Sequence, residues 1–236
     1  MSTFRIITVE REFGSGGGAI ATQIADRLSW KLWDQALTQE IARIAKVDCS
    51  AVERCEERLD GRLHRLAKAF WRGSYEPRAL LTDAQTFDAD CMVSTMQQIM
   101  ERIAEQGQAV VVGRGAPYFL REREDTFRLF VYAPTAEKIR RLRELGKSEH
   151  EAEELVESVD RDRIAYVKHY FDADWPTRSL YHLMINTSMG DENVIATVLN
   201  SMRLLEEKSA GKTSQLRGGV VGIGITEKLV RPRGRS

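Results

Sequence analysis

Apolar positions along this chain alternate between two spacings. Four of the six residues at 4–9 are Phe, Ile or Val, the next block is Gly-Ser-Gly-Gly-Gly at 14–18, and Ile20, Ile24 and Leu28 then recur at helical spacing. The pattern predicts a strand, a glycine loop and a helix. Residues 30–33 make a short apolar run ending at Asp34, and Leu37, Ile41, Ile44 and Ala45 predict a second helix. QAVVVG at 108–113 has the continuous apolar character of a strand buried on both faces, TFRLFVYA at 126–133 repeats it, and Leu183-Met184-Ile185 forms a last short strand. Helices are predicted after Pro134, over 148–171, and over 192–207, the last with Ser188 and Asp191 as a capping-box-like start. Strands alternating with helices describe a parallel sheet covered on both faces.

Residues 50–106 break that alternation. They are polar, helical in pattern and free of strand-like runs. Leu59, Leu63, Leu66 and Phe70 form one apolar stripe, and Met92, Met96, Ile99, Met100 and Ile103 form another. A helical block inserted between strands of an α/β unit is where a lobe closing over a substrate would sit.

Composition narrows the class. A chain of 236 residues suffices for one α/β domain. Lys+Arg and Asp+Glu both number 35, so no overall field draws the protein to nucleic acid or an acidic membrane. Cys49, Cys55 and Cys91 have neither C-x-x-C spacing nor a His cluster, which argues against a structural metal or a disulfide framework. With no leader-like N-terminus and no apolar run of membrane-spanning length, the expectation is a soluble, cytoplasmic protein. After Glu207 the composition becomes glycine-rich, and seven basic residues face one acid, which reads as a flexible basic tail over 208–236. Nucleic-acid binding through that tail is a further class to test by its salt dependence.

The candidate chemistry begins at the glycine loop. Consecutive amides unobstructed by side chains can wrap an anion, and the positive end of the following helix favours the same charge. A Walker A loop also carries a lysine and a hydroxyl, and neither follows Gly16 or Gly17. Arg114, directly after a buried strand, is placed at the carboxyl edge of the sheet, where open α/β sheets bind ligands. Asp34 at the corresponding point of the second strand fits either a helix cap or a ligand contact. In Asp160-Arg161-Asp162-Arg163 and Lys168, the seven-residue separation puts Arg161 and Lys168 on one helix face.

Several segments together resemble the cytidylate kinase-like proteins, a branch of the P-loop nucleoside monophosphate kinases. They are ITVEREFGSGGGAIATQIADRL, VVVGRGAPYFL, FRLFVYAPTAEKIRRL, DRDRIAYVKHYFDADW and YHLMINTS, in that order, over about residues 4–205. The resemblance implies a P-loop NTPase fold with a five-stranded parallel sheet, a helical NMP-binding insertion over about 50–106 and a lid over about 146–172, all within a single domain at 1–207. It implies transfer of a phosphoryl group from ATP, with Mg2+, to CMP or a related nucleotide. Gly14, Ser15, Gly16, Gly17, Gly18 and the adjoining Arg11 would hold the ATP phosphates, and Asp34, Arg114 and Asp162 the acceptor. Arg161 and Asp162 fall on the lid motif, Lys168 stands at its second arginine, and Arg114, Arg161 and Lys168 would stabilise the transferring charge.

The chain departs from that pattern in specific places. Gly17 stands at the loop lysine and Gly18 at the arginine usual in the kinase-like branch. Gly115 replaces an acid, Glu40 lies where an arginine would meet the acceptor, and Ala165-Tyr166 replaces an Asp-Ser pair associated with cytidine. With the hydroxyl missing, magnesium would rely on the nucleotide, water, and Glu10 or Glu12. Two readings follow: an ATP-dependent nucleoside monophosphate kinase, or a nucleotide-binding sensor that kept the fold and lost the chemistry.

Overall fold

The computed structural model describes residues 4–34 and 89–218. The expected helix at 37–45, the stripe from Leu59 to Phe70, Glu40 and the end of the tail lie outside them. β1 (Ile6–Arg11) is followed by α1 (Gly17–Leu28) and β2 (Lys31–Trp33), and later by α2 (Ala89–Gln106), β3 (Ala109–Val112) and the short α3 (Ala116–Phe119). β4 (Thr126–Tyr132), α4 (Thr135–Glu144), α5 (Glu149–Phe171), β5 (Leu183–Asn186) and α6 (Asp191–Gly218) complete the described chain.

All five strands are parallel, in the order β2-β3-β1-β4-β5. β1 is central, between β3 and β4, and every residue from Ile6 to Arg11 is buried, the apolar ones in the core and Glu10 and Arg11 as buried charges at its carboxyl end. One face packs Ile7 and Val9 against Ile20 and Ile24 of α1 and Val194, Ile195 and Val198 of α6. The other packs Ile6 and Val111 against Met96, Met100 and Ile103 of α2 and Tyr166 and Val167 of α5. The apolar stripe expected over 92–103 is therefore core where the structure describes it.

Two local readings change. Ser188 lies within a 3-10 turn, Thr187–Met189, whose entry is capped by the Asn186 side chain accepting from the Ser188 amide at 2.9 Å. Asn186 wins because its amide oxygen reaches two residues ahead, the ordinary Asx geometry. α6 also continues to Gly218, past the compositional boundary at 207. Gly211 is tolerated within it at a cost of about 1 kcal/mol, which does not end a helix already propagating. Among the described residues no helix is long and apolar enough to cross a membrane.

Candidate functional site

The carboxyl ends of β1, β2 and β3 converge on the glycine loop. Gly14 and Gly16 adopt φ of 75° and 83°, values that only glycine takes without strain, and α1 starts at Gly17 with no side chain capping it. Its first-turn amides are left for a ligand. Side chains hold the loop from outside. Arg141 of α4 donates to the Ser15 carbonyl at 2.5 Å and to Thr187 Oγ1 at 2.8 Å, and Thr187 Oγ1 donates to the same carbonyl at 2.8 Å. Lys138, one turn earlier on α4, pairs with Glu12 at 2.5 Å and Asp160 at 3.5 Å.

α5 closes the arrangement. Asp160 accepts from the Phe13 amide at 2.9 Å and from Arg163 at 2.9 Å, and Arg163 also donates to the Arg11 carbonyl at 2.8 Å. A cavity of about 740 Å³ opens beside the loop, and Arg11, Arg141, Arg163 and Asp34 share its lining with Gly14, Gly16, Gly17 and Gly18. Three arginines and an uncapped helix start therefore line one space, together with the carboxylate residues Glu12, Asp34, Glu144 and Asp191. An open helix start with arginine donors beside it suits an anion.

Behind this wall the charges are buried. Arg11 and Arg114 are 5% and 8% exposed, and burial lowers the basicity of both, Arg114 to about 10, with Asp34 opposing the shift in each case. Burial pushes Glu10 up from the ordinary carboxylate range. Arg114 sits between Gly113 and Gly115, and the three take φ of 67°, 56° and 71°. A non-glycine residue held there costs on the order of 1–3 kcal/mol, a strain typical of functional positions.

The structure brings Arg11, Gly14, Gly16, Gly17, Gly18 and Asp34 to one cavity, with Ser15 buried beneath the loop and Arg114 buried in the same electrostatic cluster. It does not bring Arg161, Asp162 or Lys168 there. Arg161 is exposed and paired with Glu157 at 3.7 Å, and Lys168 is exposed and paired with Asp172 at 2.8 Å. The reason is the phase of α5: Ala152, Val156 and Val167 are buried, and Asp160 and Arg163 continue that stripe. Arg161 falls on the opposite side. Sequence reasoning missed Lys138, Arg141, Asp160, Arg163 and Thr187. For Asp160 and Arg163 the signal was present, since 152, 156, 160, 163 and 167 follow helical spacing.

A nucleotide's phosphates fit this donor set, but a loop-bound magnesium does not. Glu12 is engaged by Lys138 and by the Ala133 amide at 3.4 Å, and Glu10 is buried and accepts from the Arg11 amide at 3.2 Å. Among the described residues no cluster of His, Cys, Asp or Glu could hold a metal ion.

Comparison with known proteins places the chain. The family model for the cytidylate kinase-like family matches residues 6–189. An uncharacterized protein from Eubacterium ventriosum has a similar structure, with a TM-score of 0.61, 18% identity, and coverage of 84% of this chain and 98% of that one. A gluconokinase from Sinorhizobium meliloti aligns with a TM-score of 0.51 at 12% identity, over 90% of this chain and 99% of the other. At these identities the likeness is one of fold. No curated protein matches the chain.

Proposed function

The chain belongs to the cytidylate kinase-like family, and from that premise we propose that it transfers the terminal phosphoryl group of ATP to CMP or a related nucleoside monophosphate. The observation that carries the reading is the cavity lined together by the glycines of the 14–18 loop, the open start of α1, and Arg11, Arg141 and Arg163. Loop amides bind the donor's phosphates. Arg11 and Arg163 offset the charge that develops on the transferring group, and Arg114 with Asp34 orients the acceptor. Phosphoryl transfer asks for in-line positioning and electrostatic stabilisation more than for covalent chemistry, and these residues supply both. Mg2+ would enter bound to the nucleotide and water, where it shields the phosphate charge.

A second reading, a nucleotide sensor without turnover, draws support from the missing lysine together with the brace from Phe13 through Asp160 to α5, which would pass loop occupancy into the lid segment. One experiment separates them. Purified protein with ATP and magnesium is offered each common nucleoside monophosphate, and diphosphate product is measured. Product that disappears in Arg114→Ala supports the kinase; ATP binding without product from any acceptor supports the sensor.

A further inference from the structure

Arg11 and residue 17 compete for one space. A Cβ built on Gly17 would lie 2.7 Å from Arg11 Cβ and 3.0 Å from its Cγ, at or below the 3.0 Å limit that such contacts essentially never cross. At the far end of the same side chain, a Cβ on Gly113 would lie 1.9 Å from Arg11 Nη1. The side chain therefore runs from the start of α1 to the end of β3, and glycine at both places makes room for it. Arg11 leaves β1 on the face shared with Ile7 and Val9, against α1, and its guanidinium ends beside the residue preceding Arg114.

Residue 17 is also where a Walker loop carries its lysine. A lysine there would overlap the Arg11 stem before its own ammonium reached any phosphate. The two cations are mutually exclusive in this backbone.

We propose that the absent lysine is one half of an exchange, in which Arg11 delivers the phosphate-binding cation from the strand side through a slot formed by Gly17 and Gly113. The inference rests on the nucleotide reading above and assigns that site's central cation. Arginine suits the route: its planar fork can hold two phosphoryl oxygens at once, and its long stem spans the gap from β1 to β3. Gly17 and Gly113 are positioning residues, acting only through Arg11.

The test is a double-mutant cycle on the full chain, read by ATP binding in calorimetry and by thermal unfolding. Gly17→Ala adds the single carbon that meets Arg11 and should weaken ATP binding about tenfold, comparable to disrupting a hydrogen bond to a charged group. In an Arg11→Gly background, which removes both the Cβ and the Cγ that a Cβ at 17 would meet, the same change should have no effect, and Gly17→Lys should regain about tenfold of the binding lost with the arginine. Unfolding midpoints should show the same non-additivity, which a purely local loop defect would not produce. Additive effects of the two positions, with the unaltered protein binding ATP, would overturn the exchange alone. Failure of the unaltered protein to bind ATP would overturn the nucleotide reading and the exchange with it.

Discussion

The Phe13 amide donates to the Asp160 carboxylate at 2.9 Å, joining the glycine loop to the middle of α5 across most of the chain. Asp160 is also the shared partner of Arg163 and Lys138, whose side chains are 12% and 8% exposed. Removing the carboxylate leaves two buried cations with less compensation. Asp160→Ala should therefore destabilise the protein by about 3–5 kcal/mol, the usual cost of breaking a buried pair from one side. Urea unfolding should show a lower midpoint with an unchanged slope. Asp160→Asn, which keeps an acceptor for Phe13, should lose less.

Arg161 and Arg163 make an internal comparison on the same helix. Arg163 lines the cavity and reaches the Arg11 carbonyl, whereas the side chain of Arg161 is 73% exposed. An exposed ion pair such as Arg161 with Glu157 contributes about 0–1 kcal/mol. Arg163→Ala should weaken ATP binding by about tenfold or more, and Arg161→Ala should change it far less. Titration of both variants with ATP checks the order, and a reversed order would mean that α5 presents its other face to the nucleotide.

How far the sequence reached depends on the range of the interaction concerned. β3 was legible because a strand buried on both faces is apolar without interruption, β4 because its apolar run is broken only by Thr126 and Arg128 near its start, and the glycine loop because positive φ leaves a compositional mark. The α5 pair was misread because a seven-residue spacing identifies residues sharing a face but not which face meets the core. The buried stripe through Val156 and Val167 settles that. Nothing local marks Arg141, and only the fold shows it holding Ser15 from 126 positions away. Gly17 read as a loss for a similar reason: the side chain occupying its space belongs to another element.

His182 gives the stability a pH dependence. Its ring stacks on Phe127 with centroids 5.5 Å apart, and Nδ1 accepts from the Arg128 amide at 3.0 Å. Burial, and then the Arg128 charge, lower its pKa below the ordinary 6.5. The unfolded chain therefore takes the proton first as pH falls. The contribution is complete above the ordinary value, is lost progressively between it and the depressed value, and is constant below both. Thermal midpoints measured across that window should fall more for the unaltered protein than for His182→Gln, which keeps an acceptor but does not titrate. Parallel profiles would show that His182 does not carry the dependence.

Gly115 explains why no acid follows Arg114. A Cβ at this position would lie 2.9 Å from two ring carbons of Phe171, the last residue of α5, and the backbone φ is 71°. Phe171 cannot simply withdraw, because it stacks on Tyr118 at 4.8 Å and meets Phe119 edge-on at 5.1 Å. Gly115→Ala must then displace the ring or rotate the backbone beside Arg114, and either should cost about 2 kcal/mol or more once overpacking and left-handed strain combine. Adding Phe171→Leu relieves the ring overlap but not the backbone strain. The double variant should therefore recover only part of the stability in urea unfolding. Phosphoryl transfer should recover less than stability does, because a rotated peptide at 115 still misdirects Arg114. Full recovery of both would mean that the ring alone fixes this turn and that the left-handed backbone matters little to the arginine's aim.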